Sequence, residues 1–239
     1  MKKVVFFSGM KGGVGRSILT EAYASYLVNK GYSVTVIDAD ANTTSSIVDG
    51  YNEQDREVPY SVMSLDSSKE SNAKTAYNVI NNIASVYIVD CRFNHDYKNL
   101  LYLYQLADLI VLPIQYDKMC TSATLVYMEY LRREGIHAPF YLVPNMCGKI
   151  YNRQSEDGIA SQVLGQWGEF LSEIPESGEF MHHGFIDTYG KKIESLTVRT
   201  FGELEKRMEQ SSLLRRYIDL GYEECNEFKQ NIERKIGRQ

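Results

Sequence analysis

The sequence predicts an α/β fold of three layers, in which helices flank a mostly parallel central sheet. Short β-branched and aromatic runs alternate with longer amphipathic stretches, a pattern that is typical of βαβ units. Gly31 and Gly135 stand where glycines commonly end helices. The 239 residues, 44% hydrophobic and 24% charged, suffice for one sizeable core. We therefore predict a single domain over residues 1–239, with a helical C-terminal part from about residue 185.

Each element is predicted from its local pattern. Compact apolar runs predict five strands and a weaker sixth: Lys3 to Ser8, Ser33 to Asp38, Val86 to Asp90, Leu109 to Ile114, Phe140 to Val143, and Phe170 to Ile174. Apolar residues at helical spacing predict helices over 16–30, 70–82, 97–106, 118–134 and 153–168. The segment 49–71 is polar and lacks a strong period, so we predict a surface insertion with one short helix.

Composition excludes several classes of protein. Charged or polar residues interrupt every apolar run before it reaches the roughly 18 to 20 residues that a membrane-spanning helix needs. The four cysteines include no CxxC pair, which favours reduced thiols over a zinc site or a disulfide framework. These features predict a soluble, cytoplasmic protein. The formal net charge of −5 means that any contact with nucleic acid must come from a local basic patch.

A glycine-rich segment, GMKGGVGRS at residues 9–17, connects the first predicted strand to the first helix. Glycines let the backbone curl so that successive N–H groups point inward, and the helix N-terminus adds the positive end of its dipole. Strand, loop and helix in this order resemble the GxxxxGK[ST] phosphate-binding loop and predict a P-loop NTPase fold. Ser17 is the expected hydroxyl ligand for Mg²⁺. The residues of this segment expected to bind nucleotide are Gly9, Lys11, Gly12, Gly13, Val14, Gly15, Arg16, Ser17 and the next residue, Ile18.

An early lysine makes the resemblance of this loop more specific. The letters KGGVG, beginning at Lys11, resemble the deviant Walker A motif of the ParA/MinD family of dimeric ATPases. In that family the early lysine crosses the dimer interface to the partner's nucleotide phosphates, so the resemblance implies a catalytic role for Lys11. Arg16 replaces the usual lysine before the hydroxyl residue and is expected to stabilise phosphate charge with a different reach. Ile18 replaces a second hydroxyl, so one phosphate contact is expected to be lost.

Carboxylates end two of the predicted strands, and ligands bind at the carboxyl ends of parallel strands. The segment DADAN, residues 38–42, is similar to the family's DxDPQ segment. The resemblance implies that Asp40 positions the attacking water near Mg²⁺ and that Asp38 supports the loop. Asp90 ends the strand VYIVD as in a Walker B motif and is expected to reach Mg²⁺ through water, as is Asp40. Beyond it, CRFN at 91–94 replaces the family's proline-containing switch.

Later parts of the chain continue the order of elements in that family. Asn145, after the fifth predicted strand, matches the position whose side chain commonly reads the adenine edge. The backbone near Pro175 and Glu176 is expected to close over the base. The resemblance spans roughly residues 3–185.

The resemblance implies a switch that works through a surface. Mg-ATP closes two protomers into a homodimer, the dimer binds DNA without sequence preference, and slow hydrolysis releases it. The DNA-binding residues implied are basic residues of the tail, Arg207, Arg215 and Arg216, although such pairs are also typical of a solvated helical face. An activating ParB-like adaptor or a cargo protein, and association with the nucleoid, are further implications.

Two alternatives remain open at the level of sequence. The first alternative is a nucleotide-dependent interaction module for conjugation or plasmid maintenance in which hydrolysis is vestigial. The second is a MinD-like membrane positioning factor, although Phe228, Ile232 and Ile236 give only a thin apolar stripe for an anchor.

Overall fold

The computed structural model describes residues 2–39, 52, 57–92, 97–147, 162–178 and 192–211. Its centre is a seven-stranded sheet in which every paired strand is parallel to its neighbour, in the order β3-β2-β4-β1-β5-β6-β7. This arrangement confirms the predicted α/β fold class. The strands are β1 (Lys3–Gly9), β2 (Val34–Asp38), β3 (Ser61–Ser64), β4 (Val86–Arg92), β5 (Leu109–Ile114), β6 (Phe140–Pro144) and β7 (Glu169–Phe170).

Helices connect the strands in the order that a parallel sheet requires. They are α1 (Arg16–Asn29), α2 (Glu70–Asn82), α3 (Tyr97–Tyr104) and α4 (Lys118–Arg133), followed by helical residues 192–211, here called α5. Gly31 and Gly135 follow α1 and α4 with φ of 87° and 77°, so the two glycine ends predicted from the sequence are confirmed. Within the described ranges, no helix is both long and apolar enough to cross a membrane.

The strand β1 lies at the middle of the sheet, between β4 and β5. Its side chains alternate between two cores: Val4 and Phe6 pack on one face, whereas Val5 and Phe7 pack on the other. Because both faces are buried, the strand is a continuous apolar run, as expected for a parallel sheet covered by helices on both sides.

Helix α5, the last helix of the described residues, packs against α1. Phe201 of α5 lies with its ring centroid 5.2 Å from that of Tyr23 and 5.7 Å from that of Tyr26. The Tyr26 hydroxyl donates to Glu205 at 2.6 Å, and the buried Lys3 Nζ donates to Ser211 Oγ at 3.0 Å. Residues of β1 and α1 thus share one face of the core with residues of α5.

The structure corrects three details of the predicted elements. The segment 49–71 contributes the edge strand β3, although the four residues SVMS gave no strand signal. The weak sixth strand is only two residues long, and its register begins at Glu169 rather than Phe170. The strand β4 continues two residues past Asp90. Of the helix predicted over 153–168, residues 162–164 are helical, and 153–161 lie outside the described part of the chain.

Candidate nucleotide-binding site

The glycine-rich loop runs from the end of β1 to the start of α1. Gly13 and Gly15 adopt left-handed backbone conformations, with φ of 79° and 83°. Gly15 caps α1 without any hydrogen bond from a side chain. The first turn of the helix therefore presents N–H groups that no capping side chain satisfies, which is the arrangement that binds anions at helix N-termini.

Asn145, at the carboxyl end of β6, fixes the backbone of this loop. Its Nδ2 atom donates to the carbonyl oxygen of Val14 at 2.9 Å. A Cβ atom at Gly15 would overlap that same nitrogen, so the close approach requires glycine in addition to the positive φ. The predicted residues Gly15 and Asn145 are thus brought together, with the amide holding the loop.

A cavity of about 260 Å³ opens beside Gly15, where the base of a nucleotide was expected. The structure brings three predicted nucleotide-binding residues, Ile18, Asn145 and Pro175, to this cavity. Met146, with a φ of 57°, also lies along its wall. The complete lining is Gly15, Ile18, Asn145, Met146, Pro175, Glu176 and Ser177.

Arg16 turns inward and forms an ion pair with Asp90, the carboxylate near the end of β4. Both side chains are buried. Burial raises the pKa of Asp90, while the guanidinium of Arg16 and a hydrogen bond with Ser17 oppose that rise. The three predicted residues Arg16, Ser17 and Asp90 therefore meet at one place, between the start of α1 and the end of β4.

A third ionisable group lies near the Arg16–Asp90 pair and was not anticipated from the sequence. Glu21, one helical turn beyond Ser17, is fully buried, and neither carboxyl oxygen has a hydrogen-bond partner among the described residues. Burial, together with the negative charges of Asp90 and Asp38, raises the pKa of Glu21 to about 10. The side chain is therefore expected to be neutral at physiological pH.

Three buried hydroxyl groups support the strand ends that carry the loop and Asp90. Ser8, Tyr104 and Tyr127 lie 2.5 to 2.6 Å from one another, and Ser8 also donates to the carbonyl oxygen of Cys91 at 2.9 Å. Burial raises the pKa of Cys91 to about 11, so its thiol stays protonated. The cluster ties β1 and β4 to helices α3 and α4 directly behind the site.

Two further cations lie at the mouth of the loop. Burial raises the pKa of Cys120 and the charge of Lys11 opposes this rise, which places Lys11 near the N-terminus of α4. Arg92, the last residue of β4, pairs across the sheet with Gly9. A Cβ atom at Gly12 would lie 3.4 Å from an Nη atom of Arg92. In the sequence analysis, Arg92 was noted only as part of CRFN at 91–94, which replaces the family's proline-containing switch.

The remaining predicted residues are only partly within the described chain. Arg207 lies on α5, where it forms an ion pair with Glu169 and donates to Gln210 at 3.0 Å. Asp40, Arg215 and Arg216 lie outside the described residues.

Comparison with known proteins assigns the chain to a family. The profile of the CobQ/CobB/MinD/ParA nucleotide-binding domain matches residues 5–181, which include the loop, Asp90 and the cavity. The chain belongs to this family. The predicted relationship to ParA and MinD is confirmed.

Solved structures show the same fold at low sequence identity. A Borrelia burgdorferi B31 protein described as a plasmid partition protein, bound to AMPPNP, has a TM-score of 0.62 and 16% identity, over 90% of this chain and 99% of its own. MinD from Aquifex aeolicus has a TM-score of 0.68 and 17% identity, over 85% and 97%. MinD from Pyrococcus horikoshii with Mg-ADP has a TM-score of 0.62 and 16% identity, over 86% and 97%. A comparison with curated protein sequences gives no match.

Proposed function

We propose that this ParA/MinD-family protein is an ATP-dependent switch. It binds Mg-ATP, forms a homodimer with the nucleotides between the protomers, binds DNA without sequence preference, and slowly hydrolyses ATP to position DNA or protein cargo. The observation that carries the proposal is the loop from Gly9 to Arg16, open at the first turn of α1 and next to the cavity at Asn145 and Pro175. One end of this site suits phosphates, and the other suits a base.

The residues beside the loop fit Mg²⁺. Asp90 is buried, and its Oδ2 atom has no hydrogen-bond partner among the described residues. Ser17 lies next to Asp90 and offers the hydroxyl oxygen that Mg²⁺ accepts with carboxylates and phosphates. When bound, Mg²⁺ would neutralise charge on the phosphates. We propose that Ser17 contacts the metal directly and that Asp90 and Asp40 hold it through water.

The chain's own groups would then promote attack of water on the terminal phosphate. The amides of the loop stabilise negative charge on the phosphate oxygens, and Asp40 orients the water. Lys11 reaches the nucleotide of the partner protomer, and Arg16 stabilises phosphate charge once it leaves Asp90. Because the Arg16–Asp90 pair has to open for this step, we expect slow turnover.

The variant Lys11→Ala tests dimerisation and DNA binding together. We expect the parent chain to double in mass with Mg-AMPPNP, measured by light scattering, and to remain a monomer with Mg-ADP. Fluorescence anisotropy of an arbitrary DNA duplex at fixed moderate salt should show at least about tenfold tighter binding with Mg-AMPPNP. Lys11→Ala should lose both responses, because no cation then bridges the protomers.

The matched control for this test is Lys74→Ala, which removes an exposed lysine of α2 that pairs with Glu70. It should dimerise as the parent does. A parent that dimerises but binds no DNA in either state would contradict the DNA surface and favour a membrane or protein surface. Sedimentation with anionic liposomes then tests the MinD-like alternative, and a ParB-like adaptor remains the expected activating partner for a DNA-bound dimer.

The buried Arg16–Asp90 pair favours a second candidate function, a nucleotide-dependent interaction module in which hydrolysis is vestigial. Arg16→Lys separates the two candidates, since a lysine ammonium is compact and typically contacts the β- and γ-phosphates. For a working switch we expect a steady-state ATPase rate within about threefold of the parent rate. A gain of about 100-fold or more would favour the vestigial module.

A further inference from the structure

Arg16, which the sequence of the loop assigns to phosphate binding, pairs with a carboxylate in this structure. Arg16 is buried, and its Nε atom forms an ion pair with Asp90 near the end of β4. A nucleotide bound there would carry several negative charges, and the loop amides supply only partial positive charge. Another full positive charge near the loop would therefore strengthen binding of the phosphates.

Arg92 lies where such a charge is needed. The β1–β4 register places it opposite Gly9, the first glycine of the loop. Its guanidinium lies against Gly12, with Nη 3.4 Å and Cζ 3.8 Å from the position of a Cβ atom on that glycine. The residue is exposed, and no described carboxylate forms an ion pair with it. The guanidinium is therefore available to an anion in the loop.

We propose that Arg92 is a phosphate-binding residue that contacts the terminal phosphate of ATP in its own protomer. The proposal rests on the proposed function, because it concerns the same nucleotide site. A planar guanidinium offers paired N–H donors that match two phosphate oxygens, and such charge-assisted hydrogen bonds are stronger than neutral ones. Because only ATP carries a terminal γ-phosphate, a contact between that phosphate and Arg92 would favour ATP over ADP.

Isothermal titration calorimetry with Mg-AMPPNP and Mg-ADP tests this role without depending on hydrolysis. For Arg92→Ala we expect affinity for Mg-AMPPNP to fall about tenfold or more, and affinity for Mg-ADP to fall less than about twofold. Arg92→Lys should recover part of the difference, because it restores the charge without the planar fork. The same titrations are repeated with each Arg92 variant combined with Lys11→Ala, which we expect not to dimerise. They separate the contact of Arg92 with the phosphate from any effect of dimerisation.

The matched control is Arg133→Ala on α4, which removes an exposed arginine paired only with Glu129 in the described structure. Its affinity for both nucleotides should equal that of the parent. Because Arg92 is exposed, Arg92→Ala should also unfold at the parent's temperature. Unchanged Mg-AMPPNP affinity, or equal losses for the two nucleotides, would overturn the role of Arg92 alone. A parent chain that binds neither nucleotide would overturn the proposed function and this role with it.

Discussion

Arg16→Met is expected to lower the free energy of unfolding by about 3–5 kcal/mol. Methionine keeps the aliphatic stem of the side chain but removes the charge that faces Asp90. The exposed fractions of the Arg16 and Asp90 side chains are 9% and 0%, so water cannot replace the lost partner. Breaking a buried ion pair from one side leaves an uncompensated charge, which costs more than the pair itself contributes. Urea unfolding followed by circular dichroism at neutral pH measures the loss.

Two further variants separate this charge effect from general damage to the core. Arg133→Ala, which breaks the exposed pair with Glu129, should cost less than about 0.5 kcal/mol. Adding Asp90→Asn to Arg16→Met should recover at least about 1 kcal/mol, because the unpaired carboxylate is then absent. A double variant no more stable than Arg16→Met would show that the loss comes from packing rather than from charge.

Glu21→Gln is expected to stabilise the protein above neutral pH and to flatten its stability profile. The folded-state pKa of Glu21, about 10, is raised from an ordinary value of 4.5. Below a pH of 4.5 the carboxyl group of Glu21 is protonated in both the folded and the unfolded protein, so its ionisation does not lower the free energy of unfolding there. As the pH rises the unfolded state ionises while the folded state does not, and stability falls until the pH passes the folded pKa. The expected slope for this group is about 1.4 kcal/mol per pH unit.

Between roughly pH 6 and pH 8 the parent should therefore lose about 2–3 kcal/mol through Glu21, and Glu21→Gln should not show this loss. Urea unfolding at several pH values gives both profiles. Glu194→Gln, at an exposed position of α5, provides the matched control and should follow the parent. Parallel profiles for Glu21→Gln and the parent would mean that Glu21 ionises in the folded protein with a near-ordinary pKa.

The parts of the fold that the sequence predicts are those with strong local patterns. Buried parallel strands such as β1, β4 and β5 are continuous apolar runs, so their positions follow from composition alone. The glycine-rich loop is equally recognisable, because the left-handed backbone at Gly13 favours glycine and the close approach of Asn145 requires it at Gly15. These signals also predicted the joint position of Arg16, Ser17 and Asp90.

The features that the sequence did not reveal depend on partners distant in the chain. Strand β3 is short and half-exposed at the sheet edge, with only Val62 and Met63 apolar, so its pairing with β2 left too short a hydrophobic pattern to recognise. In the sequence, Glu21 is an ordinary helical residue. Its unusual environment arises because strands β2 and β4 bring Asp38 and Asp90 near it. Arg92 comes two residues after the predicted strand Val86 to Asp90, where an arginine carries no particular signal. Only the β1–β4 register shows that it lies opposite the loop.

The contact between α1 and α5 has a consequence for synthesis of the chain on the ribosome. The Tyr26–Glu205 hydrogen bond joins residues 179 positions apart, and Lys3 meets Ser211 across 208 positions. At typical elongation rates, roughly 10 to 35 seconds separate synthesis of the two partners in the first of these contacts. During that interval the tyrosine-rich face of α1 lacks its cover, so the nascent chain presents an apolar surface that chaperones recognise. The glycine-rich loop at residues 9–17 is therefore made well before α5, the helix that packs against α1.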